Sequence, residues 1–342
     1  MHRHWRIGLL GLIVSLATIY FIVSQIDMVM LGAALRSARW IYLLPCVVLL
    51  VMGLLARAMR WRLLLNDALP FWRVFHIMNV AYLVNGVLPL RIGEVARVFL
   101  AYRADPPVPP LTTTSTIVIE RLLDLSSVVM LIAVALVLGD VPIVIQSVGF
   151  VVGVIVLAGF GMLVLLVNRQ HWAHGLLTML EGRISVLKRL NLHGWLKQLL
   201  DGLTPLTHVY TLGGAVFWSM VAWAFSLGAG YILMYTFYPT ASLSTTALYI
   251  AAAALAIAVP ATVGSLGVYE ASILLALQST GYGDPYSVAV AFAVTVHFVN
   301  VFVHALTGMI GFIAEGITLG QLSDGVQQIN DTPNQELERE WN

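Results

Sequence analysis

The sequence predicts an all-α polytopic membrane protein, with about six full transmembrane helices plus two broken or re-entrant helical hairpins in an inverted repeat. Three observations predict it. Apolar residues make up 59% of the 342 and charged residues 10%, and the mean hydropathy is +0.89, which is outside the range of soluble domains. Several apolar runs reach the ~20 residues a helix needs to cross a bilayer, and they do not alternate as the strands of a barrel would. Two apolar stretches are interrupted midway by the same pattern, a proline followed four residues later by a glycine: Pro89 with Gly93, and Pro260 with Gly264.

Six spans are expected at 7–25, 41–56, 114–139, 142–167, 210–238 and 286–319. The first follows a basic N-terminus in signal-peptide order but has no small-x-small cleavage site, so it reads as an uncleaved helix. The broken stretches are 71–103 and 243–279. Each half of either is too short to cross comfortably, so each reads as a hairpin that enters and leaves on one side; two thin spans are the alternative. The segment 171–205 mixes Leu, Trp and basic residues with no run long enough to span, and reads as helix lying on the cytoplasmic leaflet. The tail, 321–342, is polar and reads as disordered.

Span, span, broken hairpin, span describes 1–140 and again 141–320. A shift of 171 carries Pro89 onto Pro260. Each half crosses an odd number of times, so the second copy is expected to be inverted. Such repeats with interrupted helices point to a transporter whose site lies between the halves. With the N-terminus cytoplasmic, 13 Lys and Arg fall on inner segments, Arg57 and Arg60 among them, and two fall on outer ones. This is a positive-inside bias that places both termini in the cytoplasm.

Several function classes are excluded on motif grounds. The two lysines, Lys188 and Lys197, do not follow glycines, so no phosphate-binding loop exists. No dinucleotide fingerprint or zinc-ligand spacing appears, and neither cofactor nor metal is expected. The net charge of +1 gives no basic footprint for nucleic acid. The lone Cys46 forbids an internal disulfide.

The informative residues are ionisable ones at membrane depth: Arg91, Glu94, Arg97, Glu120, Arg121, Asp124 and Glu270. Each costs about 2.5–3.5 kcal/mol at a helix centre on insertion scales, so the set has to face itself or water. Glu120 and Asp124 are four apart on one helix face and would repel. Each is expected to meet an arginine from elsewhere, with Arg91 and Arg97 the first candidates and Arg121 the reserve. In the second hairpin, a helix starting near Ser265 would aim its amides at the break and form an anion site. The alternative there is a helix cap, with Glu270 as a buried carboxylate partnered by Arg121 or another arginine. His297, Asn300, His304 and Thr307 form one polar stripe along the last span.

The stretches "NGVLPLRIGEVARVFL", "ERLLDL" and "VPATVGSLGVYEA" resemble the three signature regions of the flippase-like membrane domain of lysylphosphatidylglycerol synthases, over about residues 7–320. The resemblance implies a lipid flippase or lipid transporter in the bacterial inner membrane. It draws attention to Asn85, Pro89, Arg91, Gly93, Glu94 and Arg97, to Glu120, Arg121 and Asp124, and to Pro260, Gly264, Gly267 and Glu270. Ala261 and Thr262 stand where the family often has two glycines, and Tyr269 where it often has an arginine. The soluble synthase domain is not among these residues, so aminoacyl-lipid synthesis is not expected. The expected cargo is a membrane lipid with a phosphate-bearing headgroup, held by Arg91 and Arg97. The rival readings are a membrane-embedded lipid-modifying transferase using Glu120 or Asp124 as base, and a partner subunit that docks a cytoplasmic lipid-modifying enzyme through 171–205. A homo-oligomer is also left open.

Overall fold

The computed structural model of the chain describes residues 18–87, 92–139, 143–169, 175, 178–179, 192–258 and 265–317. Pro89, Arg91, Pro260, Gly264, most of 171–191 and the tail lie outside these residues. Among the described residues every regular element is helical: α1 (Thr18–Ser24), α2 (Met28–Ser37), α3 (Leu43–Leu64), α4 (Phe71–Val87), α5 (Gly93–Tyr102), α6 (Pro110–Leu138), α7 (Ile143–Asn168), α8 (Leu192–Leu203), α9 (Val209–Phe237), α10 (Leu243–Ala258), α11 (Val268–Ser279) and α12 (Tyr286–Glu315). Five of them, α3, α6, α7, α9 and α12, are long and apolar enough to cross a membrane, and α1 with α2 forms a pair bent by 88° that could supply a sixth crossing. The chain is an all-α polytopic membrane protein.

Local chemistry sets the helix ends. The Asp27 carboxylate accepts the Val29 and Met30 amides at 2.8 and 3.1 Å and caps α2. Pro110 occupies the first turn of α6, where no amide hydrogen is needed. Gly316, at φ +61°, ends α12 in the left-handed conformation. One boundary departs from expectation by two turns. α3 continues to Leu64 instead of stopping at 56, and it carries Arg57 and Arg60 inside the helix. Arg60 is fully buried among other helices, so its counting as a cytoplasmic residue is corrected. Without these two, the bias is eleven against two.

The broken stretches fold back on themselves. α5 has ten residues and α11 twelve, about 15 and 18 Å of helix, well short of the ~30 Å hydrocarbon layer. α5 packs along α4 and α11 along α10. In the first pair the fold is pinned where Gly93 sits against α4: its amide donates to Asn85 Oδ1 at 2.8 Å. A Cβ there would stand 2.6 Å from that same oxygen.

The packing between helices comes in matched pairs. α12 packs on α4 as α6 packs on α10; α3 meets α4 as α9 meets α10; α5 meets α6 as α11 meets α12; and α3 lies along α9. Outside this set, α2 packs on α12 as α8 packs on α6. The visible part of the amphipathic segment is therefore seated on protein. Ser115 Oγ on α6 donates to Leu199 O at 2.9 Å, while Lys197 stays exposed. α7 lies at the edge with most of its length uncovered.

The seam between α12 and α4 is built on two glycines. A Cβ on Gly308 would lie 2.8 Å from Asn79 O, and one on Gly311 2.8 Å from His76 O. Overpacking a close interface costs about 1–3 kcal/mol. Gly311→Val is therefore expected to lower the melting temperature of the detergent-purified protein by several degrees. Gly161→Ala, in open space on α7, is expected to leave it unchanged or slightly raised. Tryptophan fluorescence on heating measures both.

Candidate functional site

Glu120, on α6, is the centre of the site. Its Oε1 accepts from Arg60 Nη2 at 2.8 Å and its Oε2 from Arg97 Nη2 at 2.5 Å. All three side chains are almost wholly buried. Arg60 comes from α3 and Arg97 from α5, so one carboxylate ties three helices together. Arg60 also donates through Nη1 to Asp124 Oδ1 at 2.7 Å and to Ser219 Oγ at 3.1 Å. One turn on from Glu120, Asp124 faces Arg121 at 3.8 Å, and Arg121 in turn pairs with Glu94 on α5. The six groups run Arg97, Glu120, Arg60, Asp124, Arg121, Glu94, so that signs alternate and the sum is zero. The repulsion expected between Glu120 and Asp124 is relieved by Arg60, which sits between them. The Arg97 guanidinium carbon also lies over the Trp61 ring, 3.6 Å from its centre, and Trp61 Nε1 donates to Thr116 Oγ1 at 3.1 Å.

Beside this chain of charges lies a cavity of about 430 Å³ bounded by α3, α6, α9, α10 and α12, with Tyr269 of α11. One end is polar: Arg57, Arg121, Asp124, Ser226 and His304 line it. Trp223 Nε1 donates to Asp124 Oδ1 there at 3.3 Å. The rest is mostly apolar, with Leu50, Val128, Leu233, Ile250 and Ala253 in its walls. From Arg57 back to Cys46 at the far end is eleven residues of α3, about 16 Å of helix rise. The chamber is therefore amphipathic along its length.

A second, smaller cluster sits where the second hairpin begins α11. The Glu270 carboxylate accepts the Gly267 amide at 2.8 Å and meets His297 Nδ1 at 2.6 Å. Tyr269 packs on the His297 ring at 4.6 Å between centroids and also lines the chamber. Two expectations are corrected here. α11 starts at Val268, not Ser265, because Gly267 at φ +83° turns the chain into the helix. Glu270 caps its own helix, as the alternative reading has it, but takes His297 in place of an arginine, and so occupies a donor that a bound anion would have used. Along α12, Asn300 and His304 face the chamber, and Thr307 Oγ1 donates to Asn79 Oδ1 at 2.9 Å.

The structure thus brings Glu94, Arg97, Glu120, Arg121 and Asp124 together, and separately Gly267, Tyr269, Glu270 and His297. Asn85 and Gly93 bond to each other away from the chamber lining. Arg97 does not reach the chamber either: Glu120 and Trp61 enclose it. Arg57 and Arg60 are the residues that sequence reasoning missed. Two signals were available. They are three apart on one helix face, and Trp61, Leu63 and Leu64 continue the apolar run beyond them.

Fold and site together define a class: a polytopic helical membrane protein with an amphipathic chamber beside a neutralised chain of buried charges. The family described as lysylphosphatidylglycerol synthase TM region matches residues 8–308. The chain belongs to that family, which places it in a lipid-related role in the membrane. No curated protein and no solved structure matches it.

Removing one partner of a buried ion pair costs about 3–5 kcal/mol, since the other is left uncompensated. Glu120→Gln strands Arg97 and leaves Arg60 with Asp124 alone, and is expected to be the most damaging neutralisation in the cluster, with a large fall in melting temperature and in yield of monodisperse protein. Glu94→Gln, at the half-exposed end of the chain of charges, is expected to cost much less. Size-exclusion profiles and thermal unfolding of the two variants check the order.

Proposed function

We propose that this protein is a lipid flippase that moves a lipid with a charged, phosphate-bearing headgroup across the membrane through the chamber between two inverted repeats, 1–140 and 141–320. The single observation that carries the reading is the chamber itself, charged at one end and apolar along the rest at membrane depth. A headgroup crossing hydrocarbon loses its water. Fixed guanidinium, carboxylate, hydroxyl and imidazole groups at the polar end replace that water, while acyl chain lies along Leu50, Val128 and Leu233. The matched packing of α3 to α6 and of α9 to α12 supports the repeat. Rocking of one repeat against the other around a fixed site is the alternating-access motion such architectures use. Both termini lie in the cytoplasm on this reading, following the eleven-to-two distribution of Lys and Arg. Transport then runs downhill or is coupled to an ion, because the chain carries no nucleotide-binding loop.

Translocation of a fluorescent phospholipid in proteoliposomes, read as the fraction bleached by external dithionite, tests it. Leu50→Trp and Val128→Trp fill the chamber without touching the ion pairs. Each is expected to slow bleaching at least tenfold while the melting temperature stays near that of the parent. Parent-like bleaching in both would remove the chamber from the transport path.

A further inference from the structure

Arg57 stands outside the alternating chain of charges. Of the four guanidinium groups gathered here among the described residues, Arg60, Arg97 and Arg121 each contact a carboxylate, and the three carboxylates Glu94, Glu120 and Asp124 are all engaged by them. Arg57 has no carboxylate within 4 Å among the described residues. Its contacts are a long one to Ser226 Oγ, 3.4 Å from Nη2, and the face of Trp223, 5.7 Å from the guanidinium carbon. Its Nε is buried with no hydrogen-bond partner. Among the described residues, four cations against three anions leave one positive charge, and the cation without a carboxylate, Arg57, lines the polar end of the chamber beside Arg121. Intramembrane charges are normally paired with one another or with backbone, and they mark substrate pathways.

We propose that Arg57 holds an anionic oxygen of the lipid headgroup and makes the chamber select lipids of net negative charge over zwitterionic ones; the lipid origin of the anion rests on the flippase reading above. The guanidinium fork suits a phosphate diester, to which it donates two parallel hydrogen bonds. Ser226 beside it, and Asn300 and His304 across the chamber, supply neutral polar groups for the remaining headgroup oxygens. Asp124 is the carboxylate at the same end. Its charge is already shared by Arg60, Arg121 and the Trp223 N–H, so it limits the headgroup to one compact anion without cancelling Arg57. Selection follows from the count: an anionic lipid brings the chamber to neutrality, and a lipid that carries its own cation does not.

The test uses detergent-purified full-length protein and follows its melting temperature during titration with dioleoyl phosphatidylglycerol, dioleoyl phosphatidylcholine or inorganic phosphate. The parent is expected to be stabilised preferentially by phosphatidylglycerol. Arg57→Gln is expected to weaken that effect about ten- to hundredfold in apparent affinity, as loss of a charged hydrogen bond implies. Arg57→Lys should retain part of it, and Arg36→Gln, an exposed arginine on α2, all of it. The unliganded melting temperature of Arg57→Gln should equal or exceed the parent's. A fall as large as that of Arg60→Gln would make Arg57 a packing group and overturn the assignment, as would a phosphatidylglycerol preference that survives Arg57→Gln. Equal protection by inorganic phosphate would overturn the lipid as the source. Translocation in proteoliposomes separates the two readings. Parent-like transport of phosphatidylglycerol by Arg57→Gln sinks this inference and spares the flippase. Arg57-dependent binding without translocation by the parent supports this inference and sinks the flippase.

Discussion

Glu120 receives one arginine on each carboxylate oxygen, Arg60 from α3 and Arg97 from α5, with almost no exposure on any of the three. In a medium that cannot solvate charge, neither the carboxylate nor either guanidinium is tolerable alone. The three helices are therefore held in register by a condition on charge as well as by packing. The neighbouring ionic groups on α5 and α6 are arranged around that condition. Asp124 lies one turn further along α6 to take the other arm of Arg60, and Arg121 and Glu94 complete the sequence of alternating signs. Buried ion pairs are seldom the most stable way to fill a core. A set of six that borders a chamber is better understood as the fixed wall of a polar compartment than as glue.

Much of this was readable from the residues. Apolar runs separated by short polar loops locate the long helices within a few residues, the end of α3 excepted, because a bilayer imposes length and composition together. The Pro-x-x-x-Gly breaks mark the two hairpins, and the i, i+4 relation of Glu120 and Asp124 places both on one face. A charged residue that interrupts a recognisable span reads as lying at membrane depth. That rule fails at Arg57 and Arg60. They follow the apolar run of α3 and look like the flanking basic residues of an ordinary span end. The spacing of the pair and the apolar residues beyond it hint at burial, but the decisive feature for Arg60 is its partner Glu120, sixty residues away on α6. The same absence of tertiary information hid the fate of Glu270, whose neighbours His297 and Gly267 come from another helix and from a glycine turn.

The two ends of the membrane site are unequal in kind. Around Glu120 the groups are permanent ions locked in pairs. Around Glu270 one ion pair can form only with a protonated His297, and a helix-end amide supplies the rest. Tyr269 links this second group to the chamber wall. The chamber thus has rigid electrostatics where Arg57 lies and a softer, hydrogen-bonded boundary near the second hairpin. Rigidity at one boundary and adaptability at the other suit a compartment that keeps its charge pattern while its apolar walls move.

The origin of the charges in the chain has a consequence for biogenesis. Arg60, Glu94, Arg97, Glu120, Arg121 and Asp124 all belong to α3, α5 and α6, and none comes from beyond residue 124. The helix packed most intimately on the first hairpin, through Gly308 and Gly311, is α12, made long after it. As the nascent polypeptide leaves the insertion machinery, these six ionic groups can neutralise one another before α7 and the helices that follow it are made. The hydrophobic closure of the first hairpin waits for α12. An early intermediate of this kind would be electrically quiet yet loosely assembled, and the order of synthesis protects the lipid phase from stray charge at the stage when the bundle is least complete.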